Sequence, residues 1–219
     1  MKGLLIKDIR LLLQQKKFFA MVLLIMVMMV GLNQDMFSFV TGYLTLVGAF
    51  IIIATFAYDE NDNSLVFLMT LPVMRKTYVA EKYMISLLCS LSGWMIGVIY
   101  VSASQLILGH AFTLSDFLWE MSGMIPGVSL LIAVMIPFVL KFGVEKGRIA
   151  IVLTAGVVGA LLCIAPKLGI FDVDFVKWFS SFDNLDTRKY LMLLFFLAAA
   201  LIVFISYIIS VGIMKRKEY

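Results

Sequence analysis

Long apolar stretches follow one another along the chain, separated by short polar connections. Within each stretch the apolar residues are continuous, whereas the strands of a membrane β-barrel would alternate apolar and polar positions. A helix needs roughly 20 apolar residues to cross a hydrocarbon core of about 30 Å, and only helices or closed barrels satisfy their backbone groups there. The pattern therefore predicts an all-α, polytopic membrane protein.

Six transmembrane helices are predicted from these stretches. They cover residues 17–32, 37–57, 83–108, 123–140, 149–165 and 190–214. Pro126 and Pro137 are expected to interrupt the fourth helix, because proline removes a backbone donor and clashes with the preceding turn. No internal repeat, low-complexity tract or flexible linker divides the chain, so residues 1–219 are predicted to form one transmembrane domain.

The first 17 residues precede the first predicted span and have an amphipathic pattern. One helical face is apolar and consists of Leu5, Ile9, Leu12 and Leu13. The opposite face is cationic or amide-bearing and consists of Lys7, Arg10, Gln14 and Lys17. Residues 1–17 are therefore predicted to form an interfacial helix at the lipid surface. The alternative is a lever that packs against a cytoplasmic partner.

Lysine and arginine distinguish the two sides of the membrane. Six spans place both termini on one side, and 14 of the 18 lysine and arginine residues lie in the connections of that side. Because these residues concentrate in cytoplasmic connections, both termini are predicted to be cytoplasmic. The net charge of +4 follows this asymmetry, so no nucleic-acid partner is predicted.

Composition narrows the protein class further. Apolar residues make up 63% of the chain and charged residues 15%, with a mean hydropathy of +1.04. Typical soluble domains are about 45–50% apolar and about 25% charged. The composition therefore excludes an ordinary soluble enzyme, a disordered chain and a disulfide-stabilised secreted domain.

No residue is predicted to be catalytic, cofactor-binding or metal-binding. His110 is the only histidine, which excludes a two-histidine metal site, and Cys89 and Cys163 lie within apolar runs as small buried side chains. The phosphate-binding motif G-x-x-x-x-G-K-[ST] is absent, so the chain is not predicted to hydrolyse ATP itself. Full charges are nearly absent from the predicted spans, which argues against a proton-driven pump.

The predicted cytoplasmic connection at residues 58–82 contains an apolar stretch of a different kind. Residues 65–69 are too few to cross a bilayer and too apolar for a free loop. They either pack against the helix ends of this chain or fill a groove of a soluble partner, which is a recurrent mode of helix recognition. Composition alone favours neither alternative.

The connection at residues 167–189, on the outer side, has an aromatic face. Its aromatic residues recur at helical spacing and are Phe171, Phe175, Trp178 and Phe182. Aromatic side chains favour the headgroup level of a bilayer. The segment is therefore predicted to be a shallow interfacial or re-entrant helix that closes the outer face.

Small residues in the third predicted helix indicate a close helix contact. Gly93 and Gly97 are four residues apart, a spacing typical of packed membrane helices. They are predicted to contact a second copy of the chain in a dimer.

Two stretches of the sequence resemble ABC-2-type transporter permeases. One is Thr70-Leu71-Pro72-Val73-x-Arg75 followed by Ala80-x-Lys82-Tyr83, and the other is the opening Met1-Lys2-Gly3-Leu4-Leu5-Ile6-Lys7-Asp8. Met74 stands where that family often has serine or threonine. Because methionine cannot cap a helix, a start of the third span near Thr77 is an alternative.

The resemblance implies the fold of a type V ABC exporter, in a permease that forms a homodimer or related heterodimer. Two separate ATPase subunits would bind it and would hold the ATP and magnesium. A short coupling helix in the connection 58–82 would transmit their movement. That helix would comprise Asn63, Ser64, Leu65, Val66, Phe67, Leu68, Met69 and Thr70, with Leu65, Phe67 and Leu68 as the ATPase contact.

The resulting hypothesis is a permease in the bacterial cytoplasmic membrane that exports amphipathic or hydrophobic substrates such as peptides. In size the chain is similar to the permeases of phenol-soluble-modulin exporters. The alternative is a non-transporting immunity or sensory scaffold, which would have no ATPase companion. An intramembrane enzyme would need a catalytic group within the spans, and the sequence supplies no candidate.

Overall fold

The structure is a computed structural model that describes residues 2–32, 37–60, 68, 74–108, 118, 121–147, 149 and 185–217. These residues form helices and contain no strand, which confirms the predicted all-α fold. In chain order the helices are α1 (Lys2–Gln14), α2 (Lys16–Leu32), α3 (Phe37–Glu60), α4 (Arg75–Leu108), α5 (Met124–Phe142) and α6 (Leu185–Arg216).

Four helices are long and apolar enough to cross a membrane, so the protein is multi-pass. They are Phe39–Glu60, Arg75–Leu106, Met124–Phe142 and Tyr190–Arg216. α1 and α2 form a pair bent by 64°, which adds a fifth crossing where the pair is counted as one span. The predicted span 149–165 and the segment 167–189 lie outside the described residues, apart from Ile149 and the start of α6. Six spans therefore stay a prediction.

α1 packs on the bundle through a face that differs from the predicted one. Leu4, Asp8 and Leu12 are buried at i, i+4 and i+8, whereas Ile9 and Leu13, which the sequence assigns to the apolar face, are exposed in the chain. The contact with the bundle is centred on the carboxylate of Asp8 and leaves Ile9 and Leu13 uncovered by this chain, so the predicted apolar face stays a prediction. Its location at the lipid surface stays a prediction.

Glycines allow α3 and α4 to pack closely. A Cβ atom at Gly93 would overlap the carbonyl oxygen of Leu44, and one at Gly97 would lie 2.9 Å from the Cα of Thr41. A Cβ at Gly48 would overlap the carbonyl oxygen of Cys89 in the same way. The structure therefore places the proposed dimer contact, Gly93 and Gly97, against α3 of the same chain.

α5 is continuous through both of its prolines. Pro126 lies in the first turn, where backbone N–H groups have no intrahelical acceptor, and Pro137 lies inside the helix. The prediction that the two prolines interrupt this span is therefore wrong. The helix ends at Gly143, whose φ of +82° favours glycine and whose N–H donates to the Val139 carbonyl at 2.9 Å.

Enlarging a glycine at the α3–α4 contact is expected to destabilise the fold. Gly93→Ala should lower the stability by about 1–3 kcal/mol, because the new methyl group overlaps backbone that cannot rotate away. The control is Gly127→Ala, since nothing lies within 4 Å of a Cβ at that position. Thermal unfolding in detergent micelles measures both variants. Equal unfolding temperatures for the two would contradict the packing described above.

Candidate functional site

Charged side chains from three helices meet at the end of the bundle where α3 ends and α4 begins. We call this group the ion cluster. It consists of Lys7 and Asp8 on α1, Asp59 on α3, and Glu81 and Lys82 on α4. Lys7 of α1 pairs with Asp59 of α3, and Lys82 of α4 pairs with both Asp8 and Asp59, so the cluster joins α1 to both α3 and α4.

Lys82 is at the centre of the ion cluster, and its side chain is fully buried. Its Nζ lies 2.5 Å from Asp8 Oδ2 and 2.7 Å from Asp59 Oδ2, and it donates to Thr55 Oγ1 at 3.2 Å. An ammonium group has three donors, and three acceptors surround this one. A buried cation is tolerated only when it is paired in this way.

Asp59 connects the three helices through both of its carboxylate oxygens. Oδ2 faces Lys82 and accepts a hydrogen bond from the Tyr78 hydroxyl at 2.9 Å. Oδ1 accepts a hydrogen bond from Lys7, whose Nζ also lies 3.1 Å from Asp8 Oδ1. Lys7 is partly exposed, so it forms the outer edge of the ion cluster while Lys82 forms its interior.

Two aromatic rings separate the central ammonium from solvent. The Nζ of Lys82 is 5.2 Å from the ring centre of Phe56 and 5.3 Å from that of Tyr78. The two rings meet edge to face, with centres 6.4 Å apart. Rings at these distances attract a cation through their negative faces, and they also exclude water from the ion pairs.

The charges of the ion cluster do not balance. Two ammonium groups face three carboxylates, and Glu81 is the carboxylate with the weakest pairing, at 3.9 Å from Lys82 Nζ. Within the described residues, Glu81 Oε1 accepts no hydrogen bond although the atom is buried. Glu81 is therefore the carboxyl group that the ammonium groups of the ion cluster stabilise least.

Helix length places the ion cluster beyond the apolar part of the bundle. α4 has 34 residues, which is about 50 Å at 1.5 Å per residue and exceeds a hydrocarbon core of about 30 Å. Its first turns contain the charged residues, and its uncharged stretch begins at Tyr83. The charges thus lie at one end of α4, outside its uncharged stretch.

The helix ends on either side of residues 61–74 also contact α6 and the turn after α5. Glu60 Oε2 accepts a hydrogen bond from the N–H of Val144, just after α5, at 2.8 Å. The Arg75 guanidinium donates to the carbonyls of Met214 and Lys215 at 3.2 and 2.8 Å, in the last turn of α6. A cation at a helix C-terminus satisfies carbonyls that have no intrahelical donor. Residues 59–60 and 75–82 together therefore contact α1, α6 and the turn after α5.

Leu68 is the one described residue of the predicted coupling helix, and it points into this chain. Its side chain is 8% exposed and belongs to the apolar cluster that includes Leu4, Phe56 and Tyr78. Leu68 therefore packs against helices of its own chain, and the ATPase contact of the coupling residues stays a prediction. The other predicted coupling residues lie outside the described residues and are Asn63, Ser64, Leu65, Val66, Phe67, Met69 and Thr70.

Both ends of the predicted connection 58–82 are helical. Residues 58–60 complete α3, and residues 75–82 form the first turns of α4. The carbonyl of Met74 accepts hydrogen bonds from the N–H groups of Thr77 and Tyr78 at 2.9 and 3.2 Å. α4 therefore starts directly after Met74 without a hydroxyl cap, and the alternative start near Thr77 is wrong.

Sequence reasoning did not find the ion cluster. One signal was available: Asp8 shares the i, i+4 spacing of Leu4 and Leu12, so it lies on an apolar helix face. A carboxylate in that position must be paired. Its partner Lys82 is 74 residues away in the chain, and no local pattern connects the two.

Comparison with protein families gives a match over most of the chain. A family model described as "ABC-2 family transporter protein" matches residues 3–215, nearly the whole chain. Neither the search of curated proteins nor the search of solved structures found a match.

Removing the central ammonium is expected to be the most damaging change in the ion cluster. Lys82→Met should lower the stability by about 3–5 kcal/mol, because Asp8 and Asp59 would keep their buried charges without the central cation. Adding Asp8→Asn to that variant should recover part of the loss. Lys7→Met is the control and should cost about 1 kcal/mol or less, since Lys7 is partly exposed. Thermal unfolding in detergent micelles measures all three; equal losses for Lys82→Met and Lys7→Met would contradict the assignment.

Neutralising Glu81 is expected to have the opposite effect. Glu81→Gln should be at least as stable as the natural chain, because the amide keeps the size of the side chain, carries no negative charge and supplies a donor next to buried acceptors. The same unfolding measurement compares it with Asp8→Asn, which should be destabilised because it weakens the pairing of Lys82. A loss of stability in Glu81→Gln as large as that in Asp8→Asn would show that Glu81 is a required partner of Lys82.

Proposed function

The chain belongs to the ABC-2 transporter family, and from this membership we propose that it is the permease subunit of an ATP-driven exporter. Members of this family are membrane components that work with an ATPase. The sequence has no phosphate-binding motif of its own, so the ATPase is proposed to be a separate chain that holds the ATP and magnesium. The permease would lie in the bacterial cytoplasmic membrane with both termini in the cytoplasm.

The observation that carries the proposal is the set of contacts made by the helix ends on either side of residues 61–74. Asp59 and Lys82 contact α1, Glu60 contacts the turn after α5, and Arg75 contacts the last turn of α6. A force applied to residues 61–74 would therefore reach every one of these elements. An ATPase that binds this segment more tightly in one arrangement of the helices would shift the permease toward that arrangement.

We assign the ATPase contact to the apolar residues of the segment other than Leu68. Leu68 is buried in the bundle and would hold the segment in place. Phe67 is the largest of the remaining apolar side chains between Asn63 and Thr70, and a buried aromatic residue is a frequent energetic centre of an interface. Phe67 is therefore proposed as the principal contact, with Leu65 beside it.

The proposed cargo is amphipathic or hydrophobic, for example a peptide. Between residues 83 and 106 of α4 and between residues 190 and 214 of α6 the chain has no charged side chain. A pathway for ions normally carries intramembrane charges. Lipid and a second copy of the permease are the further partners proposed, and the second copy would bind through a surface other than Gly93 and Gly97.

Purification of the tagged chain from its native membranes tests the proposal. We expect Mg·ATP hydrolysis to purify with the natural chain, together with a subunit that contains a phosphate-binding motif. Phe67→Asp should reduce the purified hydrolysis at least tenfold, because a buried carboxylate would have no partner in the interface. Phe67→Leu, which stays apolar, is the control and should keep most of it.

Two outcomes would reject the proposal. A natural chain that purifies as a folded protein without any ATPase would favour the non-transporting scaffold. Unchanged hydrolysis and subunit binding in Phe67→Asp would place the ATPase contact elsewhere. Size-exclusion chromatography of each variant checks that the permease is folded.

A further inference from the structure

Pro137 leaves one carbonyl of α5 without its usual partner. In an α-helix the carbonyl of residue 133 accepts from the N–H of residue 137, and proline has no N–H. In this structure the Ala133 carbonyl instead accepts a hydrogen bond from the Ser206 hydroxyl of α6. The α5 carbonyl that Pro137 leaves without a backbone donor thus accepts from a side chain of α6, as happens in membrane helices that contain proline.

Two further hydroxyl groups extend this contact to α4. The Tyr83 hydroxyl lies 2.6 Å from Ser206 Oγ and 2.9 Å from Ser210 Oγ, and all three side chains are buried. Ser206 has one proton and donates it to Ala133, so Tyr83 must donate to Ser206. Tyr83 then accepts from Ser210. The hydrogen bonds therefore run in one direction, from Ser210 through Tyr83 and Ser206 to the Ala133 carbonyl.

We propose that these groups form a latch that controls bending of α5 at Pro137. Proline is the usual site of helix bending, and the Ser206 hydrogen bond holds the backbone of residues 133–137 against α6. Release of Ser206 would free that backbone to bend. The proposal requires no property of an ATPase partner, so it stands or falls separately from the proposed function.

The position of Tyr83 links the latch to the ion cluster. Tyr83 directly follows Lys82, and successive residues of a helix are 100° apart. Lys82 therefore faces α1 and α3 while Tyr83 faces α6. A rotation of α4 that moves Lys82 also moves the hydroxyl that orients Ser206. The ion cluster and the latch would thus change together.

Free space next to the latch provides room for such a movement. An open groove with about 510 Å³ of free space lies between α4, α5 and α6, and Tyr83, Val203 and Tyr207 are among its lining residues. Helices in a close-packed interior cannot shift without free volume. This groove lies on the side of α4 that carries the Tyr83 hydrogen bonds.

A double-mutant cycle tests the hydrogen bond at the centre of the latch. Ser206→Ala should lower the unfolding temperature in detergent micelles by about 3–8 °C, because it leaves the Ala133 carbonyl buried without a donor. In a Pro137→Ala background the N–H of residue 137 supplies that donor, so Ser206→Ala should cost less than half as much. The matched control is Ser129→Ala, since Ser129 donates to the Ile125 carbonyl within α5, which already has a helical partner.

Spin labels measure the bending itself. Lys76→Cys on α4 and Lys141→Cys on α5 are exposed label sites, the second of them beyond Pro137, and Cys89 and Cys163 are replaced by alanine. Ser206→Ala should broaden or shift the distance distribution between the labels, and Ser206→Ala with Pro137→Ala should restore it. Ser129→Ala should leave it unchanged.

The outcomes decide the proposal without reference to transport. Equal costs of Ser206→Ala in the two backgrounds would show that the hydrogen bond does not compensate for Pro137 and would overturn the latch. A distance distribution that Ser206→Ala leaves unchanged would overturn the control of bending, even where the stability cycle succeeds. The coupled cycle and the restored distribution together support the latch.

Discussion

A buried ammonium group determines how this bundle is assembled. Lys82 needs negative partners because its charge has no access to water. The only acidic residue on α4 itself is Glu81, which lies 3.9 Å from Lys82 Nζ. The partners come from α1 and α3, which bring Asp8 and Asp59 to the same point. The position of α1 against the bundle follows from this pairing more than from its apolar residues, several of which stay exposed in the chain.

The same constraint makes α4 the central element of the structure. Its first turns hold the ion cluster and the contact of Arg75 with α6, and its uncharged part packs closely against α3 through Gly93 and Gly97. The segment that precedes α4 therefore adjoins the point where the helices are most tightly connected. In the proposed function, a movement of the ATPase at this place would reach α1, α6 and the turn after α5.

Sequence patterns predicted the features that depend on local composition. The apolar stretches located α3, α5 and the end of α6 to within a few residues, because each stretch must be long enough to cross a bilayer. The start of α4 was placed too late, since its first turns are polar. The ion cluster was not predicted, because Asp8 and Lys82 are distant in sequence. Gly93 and Gly97 indicated a close contact, but no local pattern specifies the partner helix.

Two buried polar groups that need partners from other helices therefore organise the bundle. The ammonium of Lys82 recruits carboxylates from α1 and α3, and the carbonyl of Ala133 recruits a hydroxyl from α6. Lys82 and Tyr83 are neighbours on α4. This helix therefore takes part in both the ion cluster and the latch, through side chains that face different helices. A rearrangement that kept only one of them would leave a buried charge or a buried carbonyl without a partner, at a cost of kilocalories per mole. This cost favours rearrangements in which the ion cluster and the latch change together over those in which only one of them changes.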